Sequence, residues 1–226
     1  MAVEGKDLEF LKKVLPFWSK ISPAQRETLR DACTPLDYPA GGQMHRGSED
    51  CVGLFAIKSG QVRTYILSES GKEITLTRLF CGDVCIFSAS CMMKDIRFDV
   101  FIEAVQPSSV LLIPTAVYKE LNKSSLAVSD YTNQLLSSGF SDAMWVMEQV
   151  LFMSFDRRLA LFLLEQSSID SGDTLSVTHE EIANHMGTAR EVVTRMLRYF
   201  QQEGLVRLSR GKLEITDRKG LNRLAK

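Results

Sequence analysis

The chain has 226 residues, of which 45% are hydrophobic, and its formal net charge is −1. This length can build one or two domains with a sizeable core, and no segment is apolar and long enough to span a bilayer. The N-terminal residues lack the apolar core of a signal peptide, so we expect a cytoplasmic protein with no membrane partner.

The near-neutral total hides an uneven distribution of charge. Segment 176–226 holds ten Lys and Arg against six Asp and Glu, a net +4, whereas the rest of the chain carries −5. A basic C-terminal part is typical of proteins that bind nucleic acid through one end. The excess of positive charge is modest, so we expect tight binding of DNA to need two copies of the chain or an activated state.

The first half of the chain predicts two helices followed by strands. Apolar residues recur at helical spacing over Leu8–Val14 and Pro23–Cys33, with Ser22 and Pro23 as a start signal. From Leu36 the period is two. Strands are predicted over Val52–Ile57, Gln61–Leu67, Glu73–Phe80, Asp99–Val105 and Val110–Ile113. Short strands with Gly turns and no interleaved helices predict an antiparallel sandwich or barrel.

A helical period returns at about Thr115 and continues to Phe152. Its apolar side consists of Leu126, Val128, Tyr131, Leu135, Phe140, Met144, Met147 and Leu151. A helix whose apolar face outlasts its own domain favours a parallel dimer seam, and burial against its own sheet is the alternative. A new helix is predicted from Phe155, and 167–173 is predicted to be a polar loop.

Residues 178–200 predict two short helices joined by a tight turn. Thr178 with Glu181, and Thr188 with Glu191, fit the S/T-x-x-E capping box, and Gly187 suits the left-handed residue after the first helix. On the second helix, Val192, Val193, Met196, Leu197 and Phe200 form an apolar half, and Arg190, Glu191, Thr194, Arg195, Arg198 and Gln201 form a polar half. This layout is typical of a helix-turn-helix that places its polar face in the DNA major groove. A helical hairpin with a solvated charged face is the alternative.

A β-hairpin is predicted directly after the second helix. Leu205–Leu208 and Lys212–Thr216 alternate around a turn at Ser209–Gly211. The hairpin tip carries Arg210 and Lys212, and a cationic wing of this kind can contact phosphate.

The order of a β-barrel, a long helix and a winged helix-turn-helix resembles the Crp/Fnr transcription regulators over nearly the whole chain. The motifs that carry the resemblance are Ile57–Val62 with Gly71 and Gly82–Asp83, then Asp156–Ala160, then Thr188–Arg195. The resemblance implies an α+β fold with an N-terminal antiparallel double-stranded β-helix (jelly-roll-like) sensor domain, a long dimerisation helix and a C-terminal winged helix-turn-helix. The implied domains are 1–153, which includes the long helix at about 124–152, and 154–226.

The resemblance also implies partners: a second copy of the chain, double-stranded DNA with a two-fold-symmetric site, and RNA polymerase. The residues expected at the DNA are Thr178, His179, Thr188, Arg190, Glu191, Thr194, Arg195, Arg198, Arg210 and Lys212. In the family, the residues matching Arg190, Glu191 and Arg195 read base edges, and Arg can bond guanine while Glu can accept from cytosine. His179 would lie near phosphate, and a plain exposed first-turn residue is the alternative.

The sensor part departs from the cyclic-AMP-binding members of the family. Those members clamp the cyclic phosphate with Gly-Glu and a later Arg-Ser, where this chain has Gly82–Asp83 and Phe98–Asp99. Arg97 is one residue away, and a slip by one residue turns a strand side chain to the other face. Ala143 and Met144 stand where those members place hydroxyls. We therefore expect an effector other than cyclic AMP.

The residues expected around the effector are Gly82, Asp83, Phe87, Arg97, Phe98, Met144 and Met147. Several of them are apolar, which favours a more apolar small molecule of unknown identity. Packing without any ligand is the alternative, and the sequence identifies no cofactor.

The five cysteines are Cys33, Cys51, Cys81, Cys85 and Cys91. Their odd number and the expected cytoplasmic setting argue against a disulfide framework. Cys81, Cys85 and Cys91 allow an alternative function, thiol-based redox or metal sensing, although free cysteines are often buried small hydrophobes. The N-terminal cysteine run that holds an iron–sulfur cluster in oxygen-sensing relatives is not present.

An enzyme is not expected. The sequence has no phosphate-binding Gly loop, no H-E-x-x-H and no nucleophile elbow, so no catalytic residues or metal ligands are assigned. A ligand-binding protein without DNA function is the other class, but it would need neither the two-sided helix nor the wing.

Overall fold

The computed structural model describes residues 3–47, 51–92 and 99–226, with the side chains of 90–92 left aside. It divides into two compact units. The first combines Met1–Leu67 with Leu76–Ala143, and the second combines Ser68–Thr75 with Met144–Lys226.

The two predicted N-terminal helices are present as α1 (Gly5–Val14) and α2 (Pro23–Ala32), with a short 3₁₀ turn between them. Ser22 caps α2 because its hydroxyl accepts from the Gln25 N–H at 3.3 Å while the Gln25 side chain accepts from the Ser22 N–H at 2.9 Å. Pro23 at the first helical position needs no hydrogen bond there. Local signals are enough to start this helix.

Two four-stranded sheets follow, as the sandwich or barrel prediction requires. The strands are β1 (Thr34–Tyr38), β2 (Gly42–Arg46), β3 (Gly53–Ser59), β4 (Val62–Leu67), β5 (Glu73–Leu79), β6 (Val84–Cys85), β7 (Phe101–Ala104) and β8 (Ser108–Pro114). One sheet has the order β1-β8-β3-β6 and the other β2-β7-β4-β5. The interleaved order is that of a jelly-roll-like double-stranded β-helix, because strands adjacent in sequence, apart from β4 and β5, lie in different sheets.

Alternation along the strands decides which residues lie between the sheets. Phe55 and Ile57 of β3 join Val62 and Ile102 in a core between the two sheets. The neighbouring residues on β3, such as Leu54, point to the other side and join the core formed with α1 and α2. One sheet is therefore covered on both faces.

The helical period predicted from Thr115 to Phe152 contains two helices, α3 (Thr115–Ser124) and α4 (Leu126–Phe152), and α4 agrees with the long helix expected at about 124–152. Ser125 breaks the helix because its backbone is extended, with φ −136° and ψ 117°. The Tyr118 hydroxyl lies 2.9 Å from the Thr132 hydroxyl, so a buried hydrogen bond joins the two helices. The apolar pattern is continuous across the break, and this is why the periodicity did not reveal it.

The two halves of α4 have different surroundings. Val128 is buried and Tyr131 and Leu135 pack against the core of the first unit, so burial against its own domain holds for this half. From Phe140 onward the large apolar side chains are exposed. The second half therefore carries an apolar surface that the described residues leave uncovered.

Within the second unit, α5 (Phe155–Ile169) follows Ser154, and the polar loop predicted from 167 is wrong in its first residues. The remaining elements are β9 (Thr174–Leu175), α6 (His179–Met186), α7 (Arg190–Gln202), β10 (Val206–Ser209), β11 (Lys212–Ile215) and α8 (Arg218–Leu224). Ser167 stays helical because its hydroxyl donates to Asp173 at 2.9 Å and accepts from Arg218 at 2.7 Å. A sheet of order β10-β11-β9 completes the winged helix-turn-helix.

A separate apolar core holds this unit together. Leu163 of α5, Ile182 of α6, Leu197 of α7 and Leu213 of β11 are all buried within one cluster. Every element that flanks α7 thus contributes to the platform beneath it. Within the described residues, no helix is both long enough and apolar enough to cross a membrane.

Candidate nucleic-acid interface

The predicted capping box at the start of α6 is present. The Thr178 hydroxyl accepts from the Glu181 N–H at 3.1 Å, and the Glu181 carboxylate accepts from the Thr178 N–H at 2.6 Å. Two of the free N–H groups at this helix end are thereby satisfied. The box fixes the first turn of α6, where Thr178 and His179 lie.

The turn between α6 and α7 depends on Gly187, as predicted. Its φ of 65° and ψ of 36° lie in the left-handed region, where a β-carbon costs free energy. The Thr188 N–H donates to the Ala183 carbonyl at 3.1 Å and keeps Thr188 inside the turn. Ala189 is consequently the N-cap of α7 and makes no side-chain cap bond, so the predicted Thr188–Glu191 capping box is wrong.

The two-sided character predicted for α7 is confirmed. Val193, Leu197 and Phe200 are buried without measurable exposure, and they fix the helix on the core. The opposite side carries the exposed residues Arg190, Glu191, Arg195, Arg198 and Gln201, with Thr194 half-buried among them. The polar face is free to meet a ligand without unfolding the unit.

A groove of about 650 Å³ follows this face of α7. Its walls are formed by Arg190, Glu191, Thr194, Arg195, Arg198, Tyr199 and Gln202. Tyr199 and Gln202 were not among the residues predicted from the sequence, although they lie four and seven positions after Arg195 and so share its face. The helical spacing contained the signal that would have found them.

A second cleft, of about 500 Å³, is lined by the start of α6, the start of α7 and the wing. Thr178, His179, Arg190 and Lys212 line it. The wing is the antiparallel pair β10 and β11, and its tip at Arg210 and Gly211 is exposed. The structure thus brings the predicted cationic groups of three elements to one side of the second unit.

His179 is tied to the recognition face by a hydrogen bond. Its Nδ1 lies 2.8 Å from the Thr194 hydroxyl, which in turn donates to the Arg190 carbonyl at 2.9 Å. Burial, followed by the charges of Arg190 and Arg198, lowers the pKa of His179 below its ordinary value of 6.5. His179 is therefore neither a plain exposed residue nor a freely titrating one.

The residues predicted around an effector are scattered in their settings. Gly82 and Asp83 are exposed, and the Asp83 carboxylate accepts from the Phe80 N–H at 2.8 Å within its own turn. Phe87 packs on α4 so closely that a β-carbon at Gly139 would lie 2.8 Å from the ring. Gly139, which the sequence reasoning missed, makes this approach possible.

The other four positions give no further geometry for an effector. Met144 and Met147 are 40% and 45% exposed on the second half of α4. Arg97 and Phe98 lie outside the described residues.

The cysteines differ in chemical setting. Cys33 and Cys85 are buried free thiols, and burial raises the pKa of Cys85 to about 11, which disfavours a reactive thiolate at neutral pH. Cys81 is free and exposed, whereas Cys51 is disulfide-bonded, contrary to the sequence argument against disulfides. In the part of the chain that the structure describes, no three His, Cys, Asp or Glu side chains are grouped to hold a metal ion.

Comparison with known proteins agrees with this geometry. A Crp-like helix-turn-helix domain model matches residues 157–224, which covers α5 through α8. A crystal structure from Eubacterium rectale, assigned to the Crp/Fnr family of transcriptional regulators, is 49% identical and superposes with a TM-score of 0.92. The match covers 95% of this chain and 99% of that one.

Two curated relatives are more distant. Electron transport regulator A of Shewanella oneidensis is 28% identical over 195 residues, which is 82% of this chain and 76% of that protein. The cyclic AMP receptor protein of Thermus thermophilus is 26% identical over 188 residues, or 83% and 86% of the two chains. With the two-sided recognition helix, the wing and a near-complete match at 49% identity, the chain belongs to the Crp/Fnr family of transcriptional regulators.

Proposed function

We propose that this regulator acts as a homodimer that reads a two-fold-symmetric DNA site with one α7 per half-site. The observation that carries the proposal is the burial pattern of α7. Val193, Leu197 and Phe200 anchor the helix, and Arg190 and Arg195 stand exposed on the opposite side. A helix held rigidly from behind and polar in front can enter the major groove without rearrangement.

Base reading is assigned to the exposed groups of α7. Arg190 and Arg195 each offer a planar pair of donors that matches the two acceptors of guanine, and the Glu191 carboxylate can accept from the amino group of cytosine. Arg198 and Tyr199 extend the same face by one turn. Direct contact to base edges gives this set its power to discriminate sequences.

Phosphate contacts are assigned to the rim of that face. Thr178 and His179 lie at the start of α6, where the helix dipole favours an anion, and the wing places Arg210 and Lys212 nearby. These contacts carry no sequence information, but they fix the position of α7 on the duplex. The net +4 of segment 176–226 supplies the corresponding attraction.

The second half of α4 is the proposed dimer seam. Phe140, Met144, Met147 and Leu151 follow one another at spacings of four, three and four, which is the repeat of a two-stranded coiled coil. All four are exposed, Phe140 by 69% and Leu151 by 62%. A matching helix of a second copy would cover this stripe and remove it from water.

The effector is proposed to be a small molecule other than cyclic AMP. The carboxylate of Asp83 is already bound to the backbone of its own turn. The acidic Asp99 stands where the cyclic-AMP-binding members place a phosphate ligand, and its negative charge would repel a cyclic phosphate. Met144 and Met147 would present an apolar surface that the effector shares with the partner helix. Binding of the effector would bias the dimer toward the arrangement that binds DNA. The DNA-bound dimer would then contact RNA polymerase.

The transmission point is proposed at the join of α4 and α5. Ser154 has an extended backbone, with ψ of 156°, between two helices. We call the winged helix-turn-helix formed by residues 155–226 the reading head. A change in the dihedral angles of Ser154 would reorient α5 and this reading head without breaking either helix. Such coupling requires the effector to favour one arrangement by its binding free energy.

The DNA proposal is tested by selecting duplexes from a random library with the purified protein and measuring their affinity by fluorescence anisotropy. Replacing Arg195 by Ala should weaken binding to the selected duplex by about 1–3 kcal/mol, or roughly 5- to 150-fold. Arg223→Ala is the matched control, because Arg223 is an exposed arginine of the same unit on α8. It removes the same charge and should change affinity far less.

Two results would contradict the DNA proposal. If no duplex is recovered under any condition, including in cell extracts that supply small molecules, the proposal that the protein binds DNA is refuted. Equal losses for Arg195→Ala and Arg223→Ala would mean that only the total charge matters and that α7 is docked wrongly.

The dimer proposal is tested by sedimentation equilibrium. Met147→Glu places a charge in the stripe and should convert the dimer to a monomer at micromolar concentration. Gln149→Glu adds the same charge two residues away, on the side of α4 opposite the stripe, and should leave the dimer intact. A wild-type monomer, or dimers in both variants, would exclude the seam.

A further inference from the structure

The hydrogen bond between His179 and Thr194 has a defined direction. A hydroxyl has one hydrogen, and that of Thr194 is donated to the Arg190 carbonyl at 2.9 Å. The contact of 2.8 Å between His179 Nδ1 and the Thr194 oxygen therefore requires the hydrogen to lie on Nδ1. In its neutral form His179 thus carries an unprotonated Nε2.

The second ring nitrogen has consequences for an anion. His179 lines the cleft between α6, α7 and the wing, where DNA phosphate would lie in the proposed complex. An unprotonated Nε2 is an acceptor and cannot bond a phosphate oxygen, which is also an acceptor. While Nδ1–H is held by Thr194, only the imidazolium form offers an Nε2–H to phosphate.

The charges around the cleft oppose protonation of His179 in the free protein. Burial, followed by the charges of Arg190 and Arg198 of α7, lowers the pKa of His179, and Lys212 of the wing lines the same cleft. Glu180 of α6 also lines this cleft, and its carboxylate is the negative group among the lining residues. A bound phosphate would reverse this balance by placing a negative charge among the cations.

We infer that His179 couples DNA binding to proton uptake: it stays neutral in the free protein, holds Thr194 through Nδ1–H, and gains a proton on Nε2 when a DNA phosphate enters the cleft. The inference rests on the proposed function, because α7 must dock on DNA for the phosphate to arrive. His179 acts as a positioning residue for Thr194 and α7 and as a conditional phosphate donor.

The direction of the pH effect follows from the two states. The pKa of His179 is below 6.5 in the free protein and is raised in the complex by the phosphate. Below the free pKa the proton is already present and affinity is at its maximum. Affinity then falls as pH rises through the window between the two pKa values, by up to about tenfold per pH unit for each protomer that takes up one proton.

The experiment measures the affinity of the full-length protein for its selected duplex from pH 5 to 8 at constant ionic strength. His179→Gln retains an amide donor for Thr194 but has no titrating group in this range, so its affinity profile should be flatter than that of the wild type. His185→Gln is the matched control, since His185 lies on the same helix but packs on Phe162 at 5.4 Å. It should keep the wild-type slope.

A second variant tests the tautomer. Thr194→Val keeps the shape of the side chain but removes the acceptor for Nδ1–H, so the ring is free to carry its hydrogen on Nε2. This neutral form can donate to phosphate without taking up a proton, and the pH slope should shrink. Nitrogen NMR of labelled histidine should show the Nδ1–H tautomer in free wild type and a doubly protonated ring in the complex.

The outcomes separate the two proposals. A wild-type slope that His179→Gln abolishes, with the NMR signature, supports proton uptake at His179. A flat wild-type profile, or an equal slope in His179→Gln, overturns the inference while leaving DNA recognition by α7 intact. Absence of any selected duplex defeats the DNA proposal, and the inference with it.

Discussion

The capping box of α6 allows a quantitative prediction about the stability of the reading head. Thr178→Ala removes the hydroxyl that accepts from the Glu181 N–H at 3.1 Å, at the end of a helix of only eight residues. Loss of a Thr cap costs about 1 kcal/mol, within a range of about 0.5–2. Because α6 has barely two turns, the cost falls on the whole element rather than on one frayed end.

The magnitude can be divided between the two partners of the box. Glu181→Ala removes the reciprocal bond of 2.6 Å to the Thr178 N–H, a charged acceptor near a helix N-terminus, and should cost about as much. Each bond orients the other residue, so the double variant should lose less than the two single losses added together. A coupling of at least about 0.5 kcal/mol is expected.

Amide hydrogen exchange measured by mass spectrometry is the suitable assay, since a chain of two units need not unfold in one step. A loss of 1 kcal/mol should speed exchange of the α6 amides about fivefold. The box at Ser22 and Gln25 is a matched control in the other unit. Ser22→Ala should speed exchange in α2 and leave α6 unchanged.

The refuting result is an α6 peptide that exchanges at the wild-type rate in Thr178→Ala. It would mean that tertiary packing, through the buried Ile182, fixes the helix without help from its cap. Faster exchange throughout both units would instead point to global destabilisation, and the local argument would fail.

Two further predictions concern a core residue beneath α7 and two glycines with positive φ. Leu197→Ala creates a cavity under the recognition helix and should lower the free energy of unfolding by about 2–5 kcal/mol in urea titration. Tyr199 lies on the outer side of α7 and is 49% exposed, so Tyr199→Ala should change the free energy of unfolding by no more than about 0.5 kcal/mol. Similar losses in both variants would refute the assigned orientation of α7. Gly60→Ala should lower the melting temperature more than Gly211→Ala does. Both glycines have positive φ, at 88° and 73°, but a β-carbon overlaps its neighbours only at Gly60, so equal costs would mean that backbone strain alone matters.

Elements that depend on neighbours in sequence could be predicted from the sequence. The cap at Thr178, the left-handed Gly187 and the two faces of α7 are all decided within one or two turns of chain. The short helix α8 was not predicted, although its start signal is present in the sequence. That signal is Asp217, which caps the helix by accepting from the Gly220 N–H at 2.8 Å. Only its length of seven residues made the periodicity uninformative.

Elements decided by distant partners could not be predicted in the same way. Strand β1 exists because Thr34 pairs with Leu112, some eighty residues later, and nothing near Thr34 encodes that register. The failed cap at Thr188 has a local cause instead, since its N–H is taken by the Ala183 carbonyl five residues earlier. A motif of the right spacing therefore indicates a cap only when the preceding turn leaves its first residue free.

The arrangement of α7 also gives a physical reason for the proposed dimer. The core around Leu163 and Leu213 folds the reading head before DNA arrives, so binding does not have to supply the free energy of folding. Each head, however, brings a net charge of only +4 in segment 176–226 and one short helix. In the proposed dimer, joining two heads through α4 would make the second contact intramolecular, and this would raise affinity without adding any residue to the interface. A regulator built in this way can be switched by changing how the two heads are held, while each head keeps the same structure.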